Sequence, residues 1–168
     1  DMILFAMMSA APIPSSPDLG KAEGLCRPNE SGSAFLVSVE GLKDRRGRLK
    51  LELYPANDAD FLADDNILIS EGKVFRRVEE TVPSQGSVTL CIRAPGPGVY
   101  AISLMHDRDA NRKFSLSIDG VGFAGNPKLG LSKPSAAKAS ARVGAAPAHI
   151  PIRLNYRRGL FSFGPLER

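Results

Sequence analysis

The sequence predicts an all-β fold, an antiparallel β-sandwich of about seven strands. Three observations favour this class. Apolar and polar residues alternate with a period of two over several short runs, turn signals rich in Gly, Pro and Asn separate those runs, and no helical period of convincing length appears. The chain has 168 residues, of which 43% are hydrophobic, with 16 glycines and 13 prolines. It is therefore long enough for one domain with its own core.

The first part of the chain predicts a connector and then a hairpin. Residues 12 to 32 are rich in Pro, Ser and Gly, so residues 1 to 32 are assigned as an apolar N-terminal segment plus a connector. Residues 33 to 42 and 48 to 54 each alternate strictly. The charged turn between them ends at Gly47, which predicts a β-hairpin of the two.

The middle and end of the chain predict the remaining strands, at residues 67–69, 73–82, 87–93, 99–105 and 149–156, with a short one at 113–118. Residues 119–134 are expected to be irregular, and 136–143 is ambiguous. Pro151 favours an edge position for the last strand, or an early bulge within it, because proline cannot donate to a neighbour. The β-sandwich domain is thus placed at residues 33 to 156, followed by a tail at 157 to 168.

Charge argues against a nucleic-acid partner. The formal net charge is only +4, and the chain has no tryptophan. Basic residues are split between the predicted hairpin, around Arg45, and the tail, around Arg157, whereas nucleic-acid binding favours one coherent basic face with stacking aromatics. With two histidines in the chain, a histidine-rich metal centre is not expected either.

The two cysteines, Cys26 and Cys91, are too far apart in sequence for a CxxC motif. In an exported protein such a pair predicts one disulfide, and in a cytosolic protein it predicts two buried thiols. Because the N-terminus favours export, we expect a Cys26–Cys91 disulfide.

The N-terminal residues 2 to 11 are apolar. A run of about ten residues is too short for a membrane-spanning helix, which needs roughly 20, so no membrane span is expected in the mature chain. It is either the end of a signal peptide, cleaved after small residues, or a mature segment that adds as a strand to a sheet edge of another copy. Both readings imply export, to the periplasm, the cell surface or the medium. The assembly residues of the second reading are Ile3, Leu4, Phe5 and Met7.

An alternation of acidic and amide residues follows the strand at 99–105. Asp107, Asp109 and Asn111, then the Lys113 carbonyl and Ser115, match the first ligands of a calcium loop.

Other positions in the same stretch depart from that template. Arg112 occupies the position of the turn glycine, Ile118 that of the final glutamate, and Asp119 lies one residue too far along. The alternative is that Asp107 and Asn111 hydrogen-bond the backbone of their own turn.

Five motifs in this order resemble a known family: VEGLKD at 39–44, PGPGVYA at 95–101, HDRDANRK at 106–113, GFAGNP at 122–127 and IRLNY at 152–156. The sequence resembles the exported bacterial family called domain of unknown function 2141, over roughly residues 33 to 156. That resemblance implies a transthyretin-like or immunoglobulin-like sandwich and export, with no established chemistry. Arg112 replaces the usual Gly of the family, and Ser115 a frequent Asp.

These observations predict a non-catalytic protein. His106 stands beside Asp107, but no nucleophile, base and orienting group converge in the sequence. We expect an exported structural or interaction module without a cofactor, whose partner is a protein, including further copies of itself joined into an oligomer or filament by strand donation. The alternative is a periplasmic accessory domain that binds a ligand or calcium.

Overall fold

The computed structural model describes residues 13–130 and 132–166. This part of the chain forms ten strands and two short helices. Four of the strands have only three or four residues, which is too short for a visible alternation, and this explains why the sequence predicts about seven. The elements are α1 (Lys21–Gly24), β1 (Ala34–Glu40), β2 (Arg48–Pro55), α2 (Asp65–Ser70), β3 (Arg76–Thr81), β4 (Val88–Arg93), β5 (Gly98–Asp107), β6 (Gly120–Phe123), β7 (Ser140–Val143), β8 (Ala148–Arg153), β9 (Asn155–Arg157) and β10 (Phe163–Pro165).

Two sheets pack face to face, which confirms the predicted β-sandwich. The small sheet has the order β4-β1-β8, and the large sheet has the order β10-β9-β6-β5-β2-β3, with β7 beside the first half of β5. All pairs are antiparallel except β1 with β8. The predicted edge position of Pro151 is confirmed, because β8 is an outer strand of the small sheet. The last strand, β10, lies within the segment assigned as a tail and pairs with β9.

The predicted hairpin of the first two strands is wrong. β1 pairs with β4 and β8, whereas β2 pairs with β3 and β5, so residues 41 to 47 cross from one sheet to the other. Alternation reports that one face of a strand is buried but not which strand lies beside it. Gly47 still ends the connection, with φ of 70°. A Cβ there would overlap the carbonyl oxygen of Asp107.

The main core lies between the two sheets. Along β2 and β5 every second side chain points into it, while the intervening side chains point to the outer face of the large sheet, as the two-residue period of a strand requires. Its fully buried members from β1, β2, β4, β5 and β8 are Phe35, Val37, Leu49, Leu51, Leu53, Leu90, Ile92, Ile102, Leu104 and Ile152, and Ala124 and Leu154 join them from the connections between strands.

A second apolar cluster covers part of the outer face of the large sheet. Tyr54 from β2 contacts Phe61 edge-on, with ring centroids 5.6 Å apart, and Phe61 contacts Phe123 of β6 at 5.8 Å. α2 and the chain around Ala136 form its lid. The members of this outer cluster are Tyr54, Phe61, Leu68, Phe75, Ala101, Phe123, Ala136 and Ala139.

Two predicted strands are absent from the described residues. Residues 67–69 lie in the helix α2, where Leu68 is buried and Ile67 is 40% exposed, so the apolar triplet is one helical turn with a single buried face. Residues 113–118 form turns and pair with no strand. Strands appear instead at β6 and β7, in the segments expected to be irregular or ambiguous.

The contacts that fix the connector to the sandwich include a backbone hydrogen bond and a disulfide. The amide of Arg77 in β3 donates to the carbonyl of Gly20, just before α1. Beyond α1, Cys26 is bonded to Cys91 of β4, which confirms the predicted disulfide. No helix among the described residues has the length and apolar character needed to cross a membrane.

Candidate functional site

The acidic loop, residues 107 to 112, begins where β5 ends. Asp107 is only 3% exposed, and its two carboxylate oxygens accept hydrogen bonds from the amides of Arg112 at 2.8 Å and Asn111 at 3.2 Å. The backbone is left-handed at Ala110, with φ of 54°, and at Arg112, with φ of 66°. A glycine would adopt this conformation without steric cost, so Arg112 keeps the turn at some expense.

Asp119 closes the base of the same connection. It is 1% exposed and lies directly before β6. Its oxygens accept hydrogen bonds from the amides of Arg108 at 2.9 Å and Ser115 at 2.8 Å. One buried carboxylate thus joins the end of β5, the start of β6 and the segment between them.

The carboxylates of Asp107, Asp109 and Asp119 converge, with one oxygen of each within 4.8 Å of the others. The sequence template includes the first two and places Asp119 out of register, because a template of fixed spacing cannot follow a chain that folds back. Calcium takes six to eight oxygens. Both oxygens of Asp107 and both of Asp119 already accept backbone amides.

The other predicted ligands also serve the turn. The Asn111 side-chain oxygen accepts the amide of Lys113 at 2.9 Å, and Ser115 contributes its amide to Asp119. The hydroxyl of Ser115 lies 3.2 Å from that of Ser117. The alternating pattern is therefore accounted for by hydrogen bonds to the backbone, as the Asx-turn alternative predicts.

Burial sets the electrostatics of the acidic loop. It raises the pKa of Asp107, and the hydrogen bond with Asp109 and the charge of Asp119 act in the same direction, while the two amides oppose them. The two basic side chains within the loop do not offset this, because the Arg112 guanidinium lies 3.6 Å from Glu79 and Arg108 is turned away. Its guanidinium binds Asp44 at 2.6 Å, on the crossing between the sheets.

His106, the last inward-pointing residue of β5, is fully buried beside the loop. Its Nδ1 lies 2.7 Å from the hydroxyl of Tyr156, and its Nε2 lies 2.7 Å from the carbonyl of Arg46. Burial lowers the pKa of His106, although the Arg46 carbonyl and the carboxylate of Asp44 raise it in part. Both ring nitrogens are thus engaged in holding the end of the sandwich together.

An apolar cleft opens on the outer face of the large sheet, next to the outer cluster. It encloses about 470 Å³. Its floor is formed by outward-pointing side chains of β5 and β6, among them Met105, Val121 and Phe123. Phe163 of β10 closes one side.

The lip of the cleft is the segment that follows the acidic loop, residues 113 to 118. Phe114 and Leu116 line the cleft, and they are 48% and 56% exposed. The amide of Ser115, between them, is held by Asp119. The acidic loop and the lip are therefore one structure, in which buried carboxylates position exposed apolar side chains.

Comparison with protein families identifies the chain. A family model with the description "Uncharacterized protein conserved in bacteria (DUF2141)" matches residues 37–151, more than half of the chain. The chain belongs to the DUF2141 family. The resemblance drawn from the sequence motifs is thereby confirmed. In the same comparisons, no curated protein and no solved structure matches it.

The match of this DUF2141 chain runs from within β1 to within β8, so it contains the acidic loop, the lip and most of the cleft. It also contains the GFAGNP motif, whose Asn126 accepts the amide of Arg153 at 2.8 Å and donates to the carbonyl of Pro151 at 3.2 Å. That motif connects the end of β6 to the strand β8 of the other sheet.

The cleft of this DUF2141 chain is the feature that sequence reasoning misses. The sequence predicts a short strand at residues 113–118, whereas this segment pairs with no strand, and Phe114, Leu116 and Ile118 are all exposed by 38% or more. The sequence does contain a signal for the cleft, because apolar residues that directly follow a loop of charged residues have no obvious partner to bury them. The predicted assembly residues, Ile3, Leu4, Phe5 and Met7, lie outside the described residues.

Proposed function

We propose that this DUF2141 chain is a non-catalytic, exported binding module that holds its partner in the apolar cleft. The observation that carries the proposal is the exposure of Phe114 and Leu116 around a concave apolar floor. Burying such a side chain contributes roughly 1.5–3 kcal/mol. A lip that leaves two of them in water gains that energy only when something covers them.

The same face of the sheet supports this view by contrast. Next to the cleft, the chain covers the sheet with the outer cluster, so that Tyr54 and Phe61 are buried. Over the cleft the covering is less complete, since Val121 is half-buried and Phe114 and Leu116 are about half exposed. Binding pockets are commonly concave, mostly apolar and largely pre-formed, with volumes of about 300–1,000 Å³.

Two observations support export. A disulfide joins Cys26 and Cys91, and disulfides form and persist mainly in oxidising compartments. Export is also what the apolar residues 2 to 11 predict under either of their readings.

A non-catalytic role is favoured by how the polar groups are engaged. His106 is the titratable group best suited to acid–base chemistry, and its two nitrogens contact the Tyr156 hydroxyl and the Arg46 carbonyl. The carboxylates of Asp107 and Asp119 accept backbone amides. A general base needs a free lone pair within reach of substrate.

The cleft is tested with an uncharged fluorescent apolar dye, Nile red, titrated into the full chain. The test variant is Phe114→Ser with Leu116→Ser. The matched control is Leu160→Ser with Phe161→Ser, because those residues are 80% and 97% exposed and lie outside the cleft. We expect the first variant to weaken dye binding by about tenfold or more, a change of roughly 1.4 kcal/mol, and the control to leave it within about twofold. Equal loss in both pairs would overturn the proposal.

Self-assembly by strand donation is a second, separate proposal, which rests on the apolar sequence at Ile3, Leu4, Phe5 and Met7. An apolar strand satisfies its backbone at an open sheet edge, and the sandwich has outer strands at β3, β4, β8 and β10. The test is deletion of residues 1 to 11 followed by sizing and electron microscopy. A monomeric full chain, or a truncated chain that assembles equally well, would show the proposal to be wrong.

A further inference from the structure

The charged residues around the cleft are unevenly paired. Lys50 lies 3.6 Å from Glu52, and Glu52 also binds Arg77 at 2.8 Å. Arg77 in turn binds Asp65 at 3.1 Å. The charges on this side of the cleft therefore compensate one another, so they give no reason to expect a charged ligand there.

Lys133, on the opposite side, has a different environment. Its ammonium donates to the carbonyl of Phe61 at 2.9 Å and lies 5.9 Å from the centre of the Phe61 ring. Within residues 13–130 and 132–166, no carboxylate lies within ion-pairing distance of it. An ammonium has three donors, and the carbonyl uses one. A positive charge is thus held at the rim of an apolar pocket with donors to spare.

The shape of the cleft favours a small molecule over a flat partner. Val121 and Phe123 project from β6 into a concavity of about 470 Å³, and the lip rises on one side. A bilayer surface or a globular partner would meet Phe114 and Leu116 but leave the floor empty.

We infer that the cleft binds a single amphipathic molecule, with its apolar part on Val121 and Phe123 and its anionic head at Lys133. This inference rests on the proposed function and names the chemical class of ligand for the same cleft. The head remains at the rim, in partial contact with water, where an ion pair to a lysine is worth little alone but decides between ligands of equal apolar length. A monocarboxylate with a long alkyl chain has this chemistry.

The test compares dodecanoate with dodecanol, which has the same chain length and no charge. Both are titrated into the full chain by calorimetry, below the concentration at which dodecanoate forms micelles. We expect dodecanoate to bind about threefold to tenfold more tightly, as a rim ion pair allows. We also expect this difference to shrink in high salt, since exposed charges are screened.

Two variants locate the charge. Lys133→Met keeps the apolar stem and removes the ammonium, and we expect it to abolish the preference for dodecanoate while leaving dodecanol affinity unchanged. Lys138→Met removes an exposed lysine outside the cleft and should change neither.

The outcomes separate this inference from the proposed function. If both amphiphiles bind equally and Lys133→Met has no effect, the anionic head is wrong and the cleft still stands. If the dye binds but neither amphiphile does, the ligand class is wrong. If dodecanoate binds only after residues 1 to 11 are deleted, the chain's own N-terminal segment is the occupant and the inference is overturned. Failure of the dye and both amphiphiles together would remove the proposed function as well.

Discussion

The acidic loop and the lip are neighbours in sequence and opposites in composition and exposure. In the acidic loop, charged Asp107 is buried, whereas in the lip, apolar Phe114 and Leu116 are exposed. Globular proteins usually bury apolar side chains and expose charged ones, so both segments invert the usual partition. The connection between β5 and β6, which is about a dozen residues long, contains both exceptions.

The two exceptions differ in whether the rest of the chain compensates them. Each buried carboxylate has amide donors, which is the condition under which burial of a charge is tolerated. Among the described residues, nothing covers Phe114 or Leu116 to a comparable extent. A compensated exception stabilises the fold, and an uncompensated one marks a surface for a partner.

Removing Asp119 should have the largest effect. Asp119→Ala leaves the part-buried amides of Arg108 and Ser115 without their acceptor and removes a buried carboxylate. Since each unmet buried donor costs about 1–3 kcal/mol, we expect the free energy of unfolding to fall by roughly 3 kcal/mol, measured by chemical denaturation. Asp119→Asn keeps one acceptor oxygen and should lose about half as much. A loss below about 0.5 kcal/mol for the alanine variant would mean that the loop is held by other contacts.

Asp107 should follow, with calcium as the discriminating measurement. Asp107→Ala is expected to lower the free energy of unfolding by about 1–3 kcal/mol through the lost amide bonds, while the exposed Asp18→Ala serves as control. Because the oxygens of Asp107 and Asp119 already accept amides, we expect calcium to bind weakly at most. Micromolar calcium affinity that disappears in Asp109→Ala would make the loop a cation site instead.

The pH dependence of stability tests the burial of His106 at the base of the loop. Its pKa is lowered in the folded state from the ordinary 6.5, so the unfolded chain binds more protons just below that pH. The stabilisation is fully present above pH 6.5 and is lost as the pH falls through the folded pKa. Thermal unfolding between pH 7.5 and 5 should therefore show a decline that His106→Gln abolishes. His149→Gln, which changes the exposed histidine, should retain it. A decline that persists in His106→Gln would assign the effect to other groups.

The lip should show the smallest effect on stability. Phe114→Ser with Leu116→Ser removes side chains that are already about half exposed, so we expect the free energy of unfolding to change by less than about 1 kcal/mol, while dye binding is lost. If the double variant unfolded the domain, the contrast between the acidic loop and the lip would be wrong, because the lip would then be part of the core. Circular dichroism and denaturation on the dye-binding samples check both properties together.

The sequence predicts what local patterns determine. The class of fold follows from alternation in segments such as β2, where Leu49, Leu51 and Leu53 face the core. The disulfide follows from the two cysteines together with the export that the N-terminal residues predict. These two predictions require only the composition of the chain and the period of its apolar residues. They do not require the order of the strands in the sheets.

Prediction from the sequence fails for residues that contact each other in space but lie far apart along the chain. The hairpin was expected because β1 and β2 are adjacent and alternate, but the pairing of β1 with β8 is decided by packing across the whole chain. For the same reason Asp119 escaped the calcium template, although it joins Asp107 and Asp109 in space. To predict the cleft, one must know which part of the outer sheet face the rest of the chain covers. No local sequence pattern contains that information.

The parallel pair of β1 and β8 also bears on when this protein can fold. Phe35 meets Ala148, and Val37 meets Ile150, across more than a hundred residues of chain. The small sheet therefore cannot be completed before β8 has been synthesised. Contacts of such long range slow folding, because a large loop must close before they form. The small sheet should therefore be the part of the fold that forms late, and this order is compatible with the proposed export.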